Sequence, residues 1–223
     1  MFRLTALAFD SMTDSAALSL THLLSAHAVV SLQDGSTALW HGEPAPDLDL
    51  SKGEFLNTVL EQHRANFELW HIEDQARAPG ASDRQIAETK RAVDRTNQRR
   101  NDLTERCDAL LLCELEAYGL PAAAAELHSE SPGLMLDRLS ILALKIYHTR
   151  EEIDRANAPE GHAERNRERL ALLETQRDDL ANCLDILWKK VVAGDRRFKL
   201  YRQLKMYNDP SLNPAVYLQT RTD

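Results

Sequence analysis

Two sets of residues in this chain could do chemistry. The first pairs histidine with carboxylate at helical spacing. Glu68-Leu69-Trp70-His71 is a Glu-x-x-His, and residues three apart project from the same side of a helix, as in the ligand sets of di-iron bundles. Asp74 lies one turn beyond His71, and His148-x-x-Glu151 repeats the imidazole–carboxylate step. Asp102 and Asp179 could complete a nitrogen and oxygen donor set suited to iron, manganese or zinc. Lys145 stands where a second Glu-x-x-His would need glutamate, and Arg100 and Arg177 bring positive charge into the same layer. A di-iron centre is therefore disfavoured. The metal reading is a mononuclear divalent site drawn from Glu68, His71, Asp74, Asp102, His148, Glu151 and Asp179, and no other cofactor is expected.

The second set is built on those arginines. Each falls in a helical seam where an apolar residue belongs, Arg100 between Asn97 and Asn101 and Arg177 beside Asp178 and Asp179. A guanidinium taken out of water must be matched by acceptors. Paired with Asp94, Asp102, Asp178 or Asp179 it fixes helix register; open to a cleft, it binds a phosphate or sugar nucleotide through two parallel hydrogen bonds. The candidate ligand-binding residues are His63, Trp70, His71, Asp74, Asn97, Arg100, Asn101, His148, Glu151 and Arg177. No glycine-rich phosphate loop, nucleophile elbow or Cys-His arrangement is visible.

Long helices must position these groups. Ser51-x-x-Glu54 is a capping box, and Leu56, Val59, Leu60, His63, Phe67, Trp70, His71 and Asp74 then recur at three- and four-residue steps. Ala78-Pro79-Gly80 stops this helix, and Ser82 caps a second that runs from about Asp83 to Tyr118. Its seam is Ile86, Val93, Thr96, Arg100, Leu103, Cys107 and Leu110. Ser131-Pro132 opens a third helix, from Gly133 to about Asn157, apolar around most of its circumference and hence central. A fourth spans about Ala163 to Ala193. The expected fold is all-α: a four-helix bundle of two long hairpins over 51–223. Residues 1–50 read as an appendage, a helix near Ser15–His27 followed by a loop or a hairpin turning at Asp34-Gly35.

Adding 77 to positions in the first hairpin lands on related residues in the second. His71 maps to His148, Trp70 to Tyr147, Asp74 to Glu151, Arg100 to Arg177 and Asp102 to Asp179. Two such hairpins would pack about a pseudo-twofold axis, with matched polar groups facing one another. Any offset divisible by seven also aligns heptads, so periodicity alone is a sufficient second explanation.

The formal charge of −8 on 223 residues disfavours nonspecific binding to nucleic acid or anionic membrane by the chain as a whole. From Lys189 to Tyr207, however, seven Lys or Arg stand against one Asp. A basic helix over 195–207, with Arg196, Arg197, Lys199, Arg202 and Lys205, is expected to dock on the acidic bundle or on a protein partner. Three cysteines, Cys107, Cys113 and Cys183, suggest neither a disulfide framework nor a metal knuckle. No stretch approaches the length of an apolar span, and no signal segment is evident, so a cytoplasmic protein is expected.

The blocks NFELWHIEDQAR, KRAVDRTNQRRNDLTERCD, SPGLMLDRLSILALKIYH and RRFKLYRQLKMYNDPSLNP resemble an uncharacterised, all-helical bacterial domain-of-unknown-function family over about 51–217. That resemblance implies an association with genes for surface polysaccharide and carries no catalytic residues. The first expectation is an accessory protein binding a partner or small anionic ligand in envelope-glycan metabolism. The second is a metal-dependent enzyme.

Overall fold

The computed structural model describes residues 14–42, 53–204, 211–214 and 218. Among them are helices α1 (Asp14–Leu23), α2 (Ala26–Trp40), α3 (Gly53–Ala76), α4 (Asp83–Glu116), α5 (Pro132–Ile153) and α6 (His162–Val192). Two-residue strands β1 (Glu126–Leu127) and β2 (Arg196–Arg197) pair in parallel. Ser51 and Lys205 lie outside the described residues.

Local chemistry sets the helix starts. The Ser82 hydroxyl accepts from the Gln85 N–H, while the Gln85 side-chain oxygen accepts from the Ser82 N–H at 2.9 Å, a capping box for α4. Ser131 caps α5 with Pro132 in its first turn. Asp108 of α4 supports that same end, accepting from the Gly133 N–H at 2.7 Å and from the Ser131 hydroxyl. Burial pushes its carboxyl up to about 6, although both hydrogen bonds pull the other way. A Cβ at Gly133 would come within 2.5 Å of the Thr104 carbonyl oxygen, so glycine sets how closely α5 crosses α4.

The two hairpins form as the periodicity predicts: α3 packs along α4, and α5 along α6. Their shared core includes Cys107, Leu111, Leu115, Leu136, Leu139, Leu184 and Trp188. The α4 seam divides at Arg100. Leu103 and Cys107 beyond it are buried, whereas Ile86 is 45 % exposed, so the α3–α4 turn extends past the core. The offset of 77 is realised in space at two places: His63 bonds Ser140 at 2.7 Å, and His71 meets His148 with ring centroids 5.8 Å apart.

Three expectations need correction. Residues 28–42 form no loop or hairpin, because α2 is helical from Ala26 to Trp40 and packs against α3, α5 and α6. Its inward face mixes apolar with polar groups, Ala26, Val29, Gln33, Ser36 and Thr37, which hides the helical stripe, and Asp34-Gly35 has turn-forming residue types although both are helical. Most of their polar atoms find partners inside: Gln33 Nε2 donates to the Leu136 carbonyl at 3.3 Å, and the Ser36 and Thr37 hydroxyls donate to the Leu32 and Gln33 carbonyls. Nor are residues 14–42 an appendage. Leu20, Leu24 and Val29 belong to the common core, the Trp188 indole donates to the Leu20 carbonyl at 2.8 Å, and the Ala26 N–H donates to Asp185 at 2.8 Å.

The basic helix over 195–207 is likewise absent from the described residues of that stretch. Arg196 and Arg197 form β2, and 198–204 run without helix. The helical spacing of its apolar residues is overridden by local anchors. Phe198 is 2 % exposed, Arg197 Nε donates to the Ala125 carbonyl at 2.8 Å, and Arg196 pairs with Glu126 at 2.6 Å. Arg202 pairs with Glu105 at 2.8 Å, and Lys199 is exposed. The segment thus docks on acidic groups of the bundle in extended form.

Candidate metal centre

A buried polar layer joins α2, α3, α4 and α5, with Asp137 as its hub. Arg100 donates to it through Nε at 2.7 Å and through Nη2, Asn66 through Nδ2 at 2.9 Å, and Gln62 through Nε2. Asn66 also donates to Ser140, and Ser140 lies 2.7 Å from His63 Nδ1. His63 Nε2 is 2.9 Å from the Thr37 hydroxyl. That hydroxyl donates to the Gln33 carbonyl at 2.8 Å, so it accepts from His63 Nε2–H, and Nδ1 accepts from Ser140. Complete burial lowers the His63 pKa to about 3, which keeps the ring neutral.

The arginines are committed to this framework. Among the described residues Nη1 of Arg100 has only Asn97 Oδ1, at 3.4 Å, while the hydrogen bonds that Arg100 donates to Asp137 raise its pKa. Arg177 donates from Nη1 to Asp34 Oδ2 at 3.0 Å, tying α6 to α2. Arg100 and Arg177 therefore go to separate partners rather than facing each other.

Beside this layer, where the C-terminal ends of α2, α3 and α5 meet, three histidines converge. One ring nitrogen from each of His41, His71 and His148 lies within 4.8 Å of the others. His41 is the C-cap of α2, and its Nδ1 lies 2.8 Å from the Thr37 carbonyl. A carbonyl can only accept, so Nδ1 carries the proton and Nε2 keeps its lone pair. His148 Nδ1 lies 2.6 Å from Glu151 Oε2, which imposes the same tautomer on a neutral ring. Both Nε2 atoms are buried and have no hydrogen-bond partner among the described residues. The His71 pKa is lowered, first by burial and then by the fields of His41 and His148, against the opposing fields of Asp74 and Glu151. These are conditions for holding a cation: three ring nitrogens brought together, two buried Nε2 atoms without a partner among the described residues, and outer acceptors on Nδ1 of His41 and His148.

Aromatic rings clamp the cluster. Tyr147 stacks on His41 at 4.2 Å, Trp70 lies on His148 at 4.6 Å, and Phe67 meets His71 edge-on at 4.5 Å. Trp70 and Asp74 also line an adjoining cavity of about 370 Å³, with Leu69, Ile141, Leu144 and Arg100 among its walls.

Of the histidines in the sequence-derived sets, His71 and His148 reach this cluster, and His63 serves the polar layer instead. Asp74 and Glu151 stand at its edge as fields or acceptors, outside the set of converging donors. Glu68 pairs with Arg64 at 3.3 Å and Arg99 at 2.8 Å. Asp102 is exposed and accepts from Gln98 at 2.8 Å; Asp179 is exposed on the α5–α6 groove. Asn101 is buried, and its Nδ2 has no partner among the described residues.

His41 was missed because its segment reads as a hairpin. A signal for it does exist. Each converging histidine follows an aromatic residue, as Trp40-His41, Trp70-His71 and Tyr147-His148, and two of those aromatics stack on a histidine of another pair.

Fold and site together define an all-α bundle with a histidine-based candidate metal centre between α2, α3 and α5. Residues 56–200 match the family described as Protein of unknown function (DUF4254), and the chain belongs to that family. No curated protein and no solved structure matches the chain. His71 and His148 fall inside the matched stretch, and His41 lies ahead of it.

Proposed function

We propose that this protein is a metal-dependent enzyme with one divalent transition-metal ion held by His41, His71 and His148. The observation that carries this reading is the convergence of one ring nitrogen from each of His41, His71 and His148 within 4.8 Å, at histidines of which two, His41 and His148, hold a buried Nε2 with no hydrogen-bond partner among the described residues. An unpaired buried acceptor costs stability by about 1–3 kcal/mol, and an ion at this point would remove that cost twice. A tetrahedral zinc at about 2.0–2.1 Å from each nitrogen needs the donors about 3.3 Å apart, so binding would draw them together by no more than about 1.5 Å.

Three imidazole nitrogen donors suit zinc, copper, nickel or iron, with zinc the first choice because three histidines and an open position are a known catalytic zinc set. They leave a coordination position for water or substrate, the arrangement of catalytic rather than structural zinc. An ion there would lower the pKa of its bound water toward neutrality and polarise a substrate oxygen. Hydrolysis or hydration of a polar substrate is the reaction class this supports. Elemental analysis after loading with zinc tests it: one equivalent is expected in the wild type and well under half in His71→Ala and His148→Ala. Wild-type protein that retains no metal after desalting would sink the reading.

A further inference from the structure

We infer that Glu151 is a positioning residue for this centre, holding the His148 ring in the tautomer and orientation that aim Nε2 at the metal. This rests on the proposed metal reading. The geometry is direct: Glu151 Oε2 lies 2.6 Å from His148 Nδ1, three residues along the same helix. Nδ1–H donates, the carboxylate accepts, and the lone pair is left on Nε2, where burial denies it any other partner among the described residues. Trp70 fixes the ring plane from one face, 7° from parallel, and Tyr147 meets its edge at 5.4 Å. A half-turn of the ring, which keeps its plane, is what the stack leaves open, and the hydrogen bond from Nδ1 to Glu151 selects one of the two orientations.

The three ligands are not held equally. His41 leans on a neutral carbonyl, and His71 has no hydrogen-bond partner among the described residues, so of these three His148 is the one held by a carboxylate. A carboxylate on Nδ1 also makes the ring a stronger donor, because it stabilises the positive charge that coordination places on the imidazole. His148 should therefore contribute most to affinity, through Glu151.

Helix stability gives Glu151 no competing reason to be there. It stands in the last turn of α5, which ends at Ile153, where a negative charge faces the negative end of the helix dipole. Half of its side chain is exposed, so its removal leaves no cavity. Glu152, next to it, instead pairs with Arg155 and His162 and serves as the control.

The test combines nitrogen-15 spectra of the histidine rings in metal-free protein with zinc titration against a chromophoric chelator. Wild type and Glu152→Gln are expected to show His148 locked with its proton on Nδ1. Glu151→Ala should show a tautomer mixture and bind zinc about 10- to 100-fold more weakly. Glu151→Gln, which keeps an acceptor oxygen but no charge, should retain the tautomer and fall in between. The melting temperature of metal-free Glu151→Ala should be unchanged or slightly raised, which a helix-stabilising role would not produce. A wild type with the locked tautomer and no zinc sinks the metal reading but leaves Glu151 holding the ring. A zinc-binding wild type whose Glu151→Ala variant keeps both tautomer and affinity overturns the assignment of Glu151.

Discussion

The indole of Trp70 lies flat on the imidazole of His148, ring centroids 4.6 Å apart and planes 7° from parallel. Trp70 comes from α3 and His148 from α5, so this stack couples the helix that carries His71 to the helix that carries the ring held by Glu151. Aromatic stacks of this kind contribute about 0.5–1.5 kcal/mol beyond the area they bury. Trp70→Leu is expected to keep the fold and weaken zinc binding by about tenfold, a loss of about 1.4 kcal/mol. Competition with a chromophoric chelator measures it, and unchanged affinity would remove Trp70 from the site.

Asp74 separates field from ligation. Its carboxylate has no hydrogen bond or ion pair among the described residues and is not among the converging donors, yet its charge raises the His71 pKa against burial. Asp74→Asn should retain one equivalent of zinc. His71 would then lose its proton at lower pH, so the acid midpoint for zinc release should move down. Stoichiometric loss of zinc in Asp74→Asn would instead make Asp74 a ligand.

His63 predicts an acid-side instability of definite sign. Its folded pKa is lowered to about 3 from 6.5, so the unfolded chain binds the proton more readily. Stability contributed by the neutral ring is present above pH 6.5 and drains away as the pH falls toward 3. The slope is about 1.4 kcal/mol per pH unit once the unfolded histidine is protonated. Asp108, pushed up to about 6, acts oppositely: the native state takes up its proton first, which adds stability as the pH falls from 6 toward 3.8. Comparing wild type with His63→Gln in urea at pH 7, 6, 5 and 4 cancels the Asp108 contribution. The variant's relative stability should improve at each step down, and parallel curves would contradict the assignment.

Removing Arg100 should expose the cost of a buried carboxylate. Arg100→Met leaves Asp137 with Gln62 and Asn66 as donors in a site that is largely shielded from water. Breaking a pair of this kind costs about 3–5 kcal/mol. Adding Asp137→Asn should recover part of that loss, as chemical denaturation of the single and double variants will measure. Additive losses would show that the two side chains do not act as a pair.

Much of the fold was legible in the chain. Ser82, Ala78-Pro79-Gly80 and Ser131-Pro132 mark helix ends through local hydrogen bonds and backbone restriction, which neighbouring residues decide by themselves. His71 and His148 stood out because helical spacing and the offset of 77 are one-dimensional properties. Glu68, Asp102 and Asp179 satisfied the same spacing rules and lie elsewhere, since spacing says which residues share a helix face and not which face meets another helix.

The sequence by itself determined an all-helical chain, two long hairpins, an inward polar layer and two of the three converging histidines. Tertiary structure alone decided that Arg100 belongs to Asp137 and Arg177 to Asp34, pairs separated by 37 and 143 residues. It also decided that α2 enters the bundle and brings His41 to His71 and His148. The physical reason is the same in each case. A buried polar group is stable wherever a partner meets it, and that partner is chosen by helix packing across the chain, not by the residues beside it.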